Sequence, residues 1–242
     1  MWEVSRRTSP CISVDLEGVR MSRHGTVSLV TIFDHVLKQT YLVDIHTLQG
    51  SAFTTSLPLP DTSSAVSTSP ATPWTLKAIL ESPTITKLFF DVRHDSDALY
   101  SHFGIRLAGV EDVQLMECAD RPAGRRRFVM GLQKCIDNFA QLTPTQRAQS
   151  KAIKEYGVRT FDPQHGGSYE VFNRRPLDRE MALYCINDVK YLSVLRDILW
   201  RKLTPAWRAK VASATSARIA LSQSADYQPY SKDNASSPWP FE

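Results

Sequence analysis

The sequence predicts an α/β fold on a mixed β-sheet, in which a three-strand antiparallel meander joins parallel strands and helices cover both faces. Three observations predict it. Apolar, β-branched runs follow one another near the N-terminus, with a short turn between the second and third. From residue 74 onward, strand-like and helix-like segments alternate. The 242 residues, 42% hydrophobic and 22% charged, suffice for one such core and an extension.

The elements follow in order. Cys11 to Leu16 (C-I-S-V-D-L) reads as a central strand ending on an acid. Thr26 to Asp34 and Gln39 to Asp44 are two further strands, with a hairpin turn at Asp34-His35. Residues 49–73 are rich in Ser, Thr and Pro and read as a flexible insertion. Trp74 to Glu81 is helical in pattern. Lys87 to Val92 is a buried strand, and Asp95 to Phe103 a helix with Leu99 and Phe103 on one face. Gly109 to Val113 is a short strand, and Gln114 to Asp120 a helix. Leu132 to Leu142 has helical apolar spacing, and Pro144 is placed to open a helix to about Tyr156. Phe161 to Arg175, with Pro163, Gly166 and Gly167, reads as an irregular loop. Leu177-Asp178 starts a long helix whose apolar face runs through Met181, Tyr184, Cys185, Val189, Leu192 and Leu195. A break is expected at Thr204-Pro205. From about Ala212 the chain is polar and Ser-rich, and an extended or disordered segment is expected.

Composition excludes several classes. The four cysteines, Cys11, Cys118, Cys135 and Cys185, show no C-x-x-C spacing, so neither a zinc site nor a disulfide framework is indicated. No apolar run reaches the about 20 residues a membrane span needs, and Met1 to Pro10 has no apolar core of a secretory signal. An intracellular protein without a membrane partner is expected. The formal net charge is +4, which permits nucleic-acid binding without requiring it. The basic residues cluster: Arg121, Arg125, Arg126, Arg127 and Lys134; then Arg147, Lys151, Lys154 and Arg159; then Arg174 and Arg175. Each cluster alone reads as a solvated face, and together they are candidates for a phosphate-tracking surface.

Three acid-bearing segments carry the chemistry. Asp15 and Glu17 are two apart on a strand, so both side chains point to one face. Two carboxylates there repel unless they share cations. Tyr184 and Asp188 are four apart on a helix, on a face otherwise apolar, where an acid is costly without a metal or cationic partner. Asp91, Asp95 and Asp97 follow the strand at Lys87. Helix capping explains one or two of them and leaves one for a ligand.

This combination resembles the DEDD superfamily of 3′-to-5′ exonucleases, over roughly residues 10 to 202. The family's first motif is D-x-E, here Asp15-Leu16-Glu17. Its third motif has either His five residues or Tyr four residues before the last Asp. Those positions are Leu183 and Tyr184, so the chain resembles the tyrosine subclass, and Y-C-I-N-D-V-K-Y-L resembles the ribonuclease D pattern. Counting from Phe90 puts the second-motif acid at Asp95, with Asp97 as runner-up. The run D-V-R-H-D-S-D-A-L-Y-S-H-F-G-I, Asp112-Val113-Gln114 and Arg175-Pro176-Leu177 resemble the Egalitarian-like branch. That branch often carries Trp where Phe172 stands here.

The resemblance implies a ribonuclease H-like fold and two Mg²⁺ or Mn²⁺ ions held by Asp15, Glu17, Asp95 and Asp188. Asp15 would bridge both ions, Glu17 and Asp188 would complete the site of the water-bearing one, and Asp95 would act mainly through ordered waters. Tyr184 would orient the attacking water. The expected activity is release of nucleoside 5′-monophosphates from single-stranded nucleic acid, RNA in preference to DNA. Members of the Egalitarian-like branch that lack acids are inactive RNA binders; here all four acids and the tyrosine are present. Leu16 and Val19 are candidates to wedge against the terminal nucleotide, with ordinary packing as the alternative. Arg126, Arg127 and Arg175 are candidate nucleic-acid contacts, and Arg175 could equally anchor its loop through a carboxylate. The expected organisation is an exonuclease domain over 1–205 and a partly disordered extension over 206–242. The insertion and that tail, with W-P-F at Trp239–Phe241, are candidate sites for protein partners.

Overall fold

The computed structural model describes residues 12–56 and 74–241. Five strands form one mixed sheet in the order β3-β2-β1-β4-β5. β1 (Ile12–Glu17), β2 (Leu29–Asp34) and β3 (Gln39–Asp44) make the antiparallel meander that the sequence predicts. Its second turn closes where the Asp34 carboxylate accepts the backbone N–H groups of Val36 and Leu37 at 2.7 and 2.9 Å. β4 (Lys87–Phe89) and β5 (Val110–Asp112) add in parallel on the other side of β1. β4 stops earlier than the sequence suggests. Asp91 turns into the left-handed region at φ 64°, and the Asp112 carboxylate holds the N–H groups of Asp91 and Val92 at 3.0 and 3.3 Å.

Helices cover both faces. Behind Val14 and Leu16 lie α1 (Ile45–Leu48), α2 (Ser51–Thr54), α3 (Leu76–Glu81) and α4 (Arg93–Phe103), packed through Ile45, Phe53, Leu80 and Leu99. α1 and α2 occupy the start of the region expected to be a flexible insertion; residues 57–73 of it lie outside the described part. α5 (Val113–Asp120), α6 (Leu132–Phe139) and α9 (Leu192–Lys202) share the core around Leu88. α7 (Pro144–Phe161) is five residues longer than the sequence suggests and opens on a capping box between Thr143 and Gln146. It packs on α8 (Arg179–Lys190), which lies against β1 and β2. The single long helix expected after Asp178 is therefore two, α8 and α9, parted at Tyr191. Between α7 and α8, the expected irregular loop holds two short 3-10 turns, Pro163–His165 and Tyr169–Asn173.

The C-terminal segment corrects the expectation of an extended or disordered tail. α10 (Pro205–Ser222) is one continuous helix packed against α4, α5 and β5. Its buried residues are Val211, Thr215, Arg218 and Ser222, a helical stripe that is mostly polar and so gives no apolar periodicity. Beyond it Tyr227 and Trp239 are buried, and the Trp239 indole meets that of Trp207 edge-on at 5.3 Å. Trp239 is thus spent on the fold and is not free as a recruitment motif; Phe241 remains exposed. No described helix is long and apolar enough to cross a membrane.

Candidate active site

β1 supplies the first two acids. Ser13, Asp15 and Glu17 share the face toward α8, while Val14 and Leu16 enter the core behind the sheet. Odd-numbered residues of β1 bond to β2, as where the Glu17 carbonyl accepts the Ser28 N–H at 2.7 Å. Even-numbered residues present their N–H groups to β4, which pairs only with Ile12 and Ser13. The N–H of Leu16 is left over, and the Asp95 carboxylate accepts it at 3.1 Å. Asp95 reaches it from the first turn of α4.

α8 brings Asp188 over the same face. One carboxylate oxygen each from Asp15, Glu17 and Asp188 lie within 4.8 Å of one another. Among the described residues, Asp188 Oδ1 is buried and without a hydrogen-bond partner. Such an arrangement is costly for anions alone. Burial first, and then the charge of Asp188, push the Asp15 carboxyl up to about 7, with Lys154 opposing. Burial and the charges of Asp15 and Asp188 raise Glu17 well above its ordinary range, and burial and Asp15 do the same to Asp95. Clustered carboxylate oxygens, one of them buried without a partner, are the donor set a hard divalent cation takes, so these residues fit the Mg²⁺ or Mn²⁺ that the family resemblance implies.

Tyr184 stands one turn before Asp188 and is seated by a glycine. A Cβ on Gly157 of α7 would fall 2.1 Å from Cδ2 of the Tyr184 ring, so this close helix approach needs a residue without a side chain. The Phe161 ring meets Tyr184 edge-on at 5.4 Å. Burial first, then the neighbouring acids, raise the phenol well above its ordinary range, so at neutral pH it keeps its proton.

The residue the sequence did not single out is Lys154. It appeared only as one member of a basic cluster. Its ammonium donates to Asp188 Oδ2 at 2.6 Å and to the Tyr184 hydroxyl at 3.0 Å. Burial works against its charge, but Asp188, Glu17 and Asp15 outweigh that and hold the proton. Lysine 30 residues before the tyrosine, on a separate helix, carries no local sequence signal.

The other candidates fall elsewhere. Asp97 is fully buried and pairs with Arg23, accepting its Nε–H at 2.6 Å and its backbone N–H at 2.8 Å. Leu16 is core, the packing alternative named above, and its side chain does not reach the acids' face. Val19 is half-buried in the loop after β1, its carbonyl accepting the Thr26 N–H at 3.0 Å. Arg175 takes the anchoring role: it clasps Asp44, with Nε 2.7 Å from Oδ2, and donates to the Phe172 carbonyl at 2.9 Å. Arg126 is buried, lies over the Trp207 ring at 4.2 Å and donates to the Ala119 carbonyl at 3.2 Å. A buried guanidinium is not a phosphate-tracking contact, so that expectation is corrected. Arg127 is exposed, over the Phe128 ring at 5.1 Å.

Comparison with known proteins bears on this geometry. No curated protein matches the chain in sequence. Among solved structures, the Trypanosoma brucei RNase D complex with RNA U12 is similar with a TM-score of 0.67 at 19% identity, covering 95% of this chain and 69% of the other. Brucella melitensis NrnC bound to pGG aligns with a TM-score of 0.59 at 17% identity, over 96% of this chain and 95% of that one. Escherichia coli RNase D, an exoribonuclease involved in structured RNA processing, aligns with a TM-score of 0.51 at 22% identity, and this chain spans only 45% of its length. These likenesses show the fold, the ribonuclease H-like mixed sheet. The family model described as 3′-5′ exonuclease matches residues 3–204, most of the sequence, and the chain belongs to that family.

Proposed function

We propose that this protein is a divalent-metal-dependent 3′-to-5′ exonuclease that shortens single-stranded nucleic acid, RNA in preference to DNA, and releases nucleoside 5′-monophosphates. The observation that carries the proposal is the convergence of Asp15, Glu17 and Asp188 oxygens within 4.8 Å. Asp15, Glu17, Asp95 and Asp188 would hold two Mg²⁺ or Mn²⁺ ions, which when bound supply a nucleophilic water and stabilise the charge of an in-line displacement. The chain's own residues do the rest. The acids must be ionised to bind cations, so burial that keeps protons on them delays binding until a cation competes. The protonated Tyr184 hydroxyl orients a water by hydrogen bonding, since a phenol raised above its ordinary range is a poor base near pH 7. Lys154 fixes that hydroxyl and Asp188 relative to each other.

RNA is preferred on the likeness to RNase D, one structure of which is described as a complex with RNA U12; nothing in the site reads a 2′-hydroxyl directly. The test is digestion of a 5′-labelled single-stranded RNA and its DNA counterpart, with Mg²⁺, with Mn²⁺ and with EDTA. A metal-dependent ladder of single-nucleotide steps with 5′-monophosphate release is expected, faster on RNA. A second reading, an RNA-gripping module without turnover, is favoured by one contact: Lys154 already gives Asp188 a cationic partner. Retention of the RNA with no ladder under either metal would establish that reading instead. An intracellular setting, and protein partners through the insertion at about 49–73 or the C-terminal segment, belong to the same proposal.

A further inference from the structure

A cavity of about 470 Å³ lies between the loop leaving β1, the turn after α7 and the C-terminal segment, walled by Arg20, Asp162, Pro163, Gln164, Tyr169 and Tyr230. Three links tie it to the acids. Arg20 is three residues beyond Glu17, a span of at most about 11 Å of chain. The Tyr230 ring lies 6.2 Å from that of His94, which immediately precedes Asp95. The Tyr169 ring stacks on Phe161 at 6.0 Å, and Phe161 in turn meets Tyr184. Each wall of the cavity is thus joined to a different acid-bearing segment.

The cavity is built by the tail. The Tyr230 hydroxyl donates to the Arg20 carbonyl at 2.7 Å and is 2.8 Å from the Ser22 hydroxyl. Arg20 holds a left-handed backbone at φ 48°, a conformation that persists in non-glycine residues only where the surroundings enforce it. Tyr230 itself is 55% exposed, so its ring is pinned without being covered. Among the described residues, the Arg20 guanidinium makes no ion pair or hydrogen bond, while the Asp162 carboxylate is occupied by the Gln164 N–H at 2.8 Å and by His165 at 3.0 Å.

Resting on the exonuclease reading, we propose that this cavity receives one unpaired nucleotide of the substrate strand, its base against Tyr169 and Tyr230 and its phosphate met by Arg20. The exposed Tyr230 ring and the half-buried Tyr169 ring, beside a free guanidinium, suit a base and a phosphate together. Stacking tolerates every base but needs one that is not already in a duplex, which selects single strands. The C-terminal segment is on this account part of the substrate site.

The test is equilibrium binding of a fluorescent single-stranded RNA decamer in EDTA, where no cleavage is possible, alongside metal-dependent digestion. Tyr230→Ala should weaken binding about 5-fold or more, the lower end of what loss of one stacked base produces. Tyr230→Phe keeps the ring but loses the hydroxyl that pins it to the Arg20 carbonyl, and should bind between the parent and Tyr230→Ala. Arg20→Asn, which tolerates the left-handed backbone, should weaken binding and reduce the salt-dependence slope by about 1. If Tyr230→Ala unfolds, Tyr169→Ala replaces it. Binding within twofold of the parent in the folded alanine variants would overturn the proposal, whether or not the protein digests RNA. A parent that binds and loses affinity on these changes but never digests would instead overturn the exonuclease reading alone.

Discussion

Asp95 and Asp97 sit two apart on α4 and meet opposite surroundings. Asp97 is fully buried and has its own guanidinium, Arg23, which also ties down the Ser222 and Ser224 carbonyls at 2.7 and 2.9 Å. Asp95 is also buried, but its partner is a backbone N–H, and the charge that acts on it most is another carboxylate, Asp15, which raises it further. The contrast extends across the sheet. Asp112 accepts three backbone N–H groups and the Arg218 guanidinium at 2.7 Å. Asp91 pays for burial with hydrogen bonds from Arg93 and the charge of Arg218, which together hold it below its ordinary range. Asp15, Glu17 and Asp188 have one ammonium, Lys154, among them. A buried ion costs several kcal/mol unless it is paired, so the compensated acids serve the fold, and the uncompensated ones need a ligand from outside.

The contrast breaks most sharply under substitution. Asp15→Asn and Asp188→Asn should each lower exonuclease turnover by more than roughly 100-fold, because even groups behind a metal ligand cost 10–100-fold. Asp188→Asn also strips the Lys154 ammonium of its partner and should lower the melting temperature, whereas Asp15→Asn should keep both its circular dichroism and its metal-free melting temperature. Asp95→Asn should behave the same way, and Asp97→Asn should not; the reverse ranking would move the second-motif acid by two residues. Arg218→Met strands the buried Asp112 carboxylate and should destabilise the protein by about 3–5 kcal/mol in urea titrations, with activity per folded molecule unchanged.

Smaller effects refine the picture. Gly157→Ala drives a methyl into the Tyr184 ring and should cost about 1–3 kcal/mol, with a loss of turnover that a matched surface substitution on α7 does not show. In the metal-free protein, Asp15, raised to about 7, and the raised Glu17 and Asp95 bind more protons folded than unfolded from about pH 4 upward. Stability should therefore fall as pH rises from 4 through 7, and added Mg²⁺ should flatten that fall; a metal-free melting temperature that rises over this range would contradict the uncompensated site. Tyr184→Phe should have the smallest effect, slowing turnover while metal affinity, read by calorimetry, stays near that of the parent.

Much of this was legible in one dimension. Strand alternation puts Asp15 and Glu17 on one face, and four-residue helical spacing puts Tyr184 beside Asp188, because both follow from backbone geometry alone. The alternating β and α segments predict the layered sheet for the same reason. The tail was not legible, since the buried stripe of α10 runs through Thr215, Arg218 and Ser222, residues that read as solvent-facing until their partners are known. Nor could a run of arginines disclose that Arg126 lies under Trp207 and Arg175 on Asp44.

By itself, then, the sequence determined the periodic facts: the order of the strands, the faces of the acids and the placing of Tyr184 beside Asp188. Only the tertiary structure decided which charges are neutralised. That depends on partners such as Lys154 for Asp188 and Arg23 for Asp97, 34 and 74 residues apart. Electrostatic compensation acts through distance in space, and no local pattern in the chain encodes it.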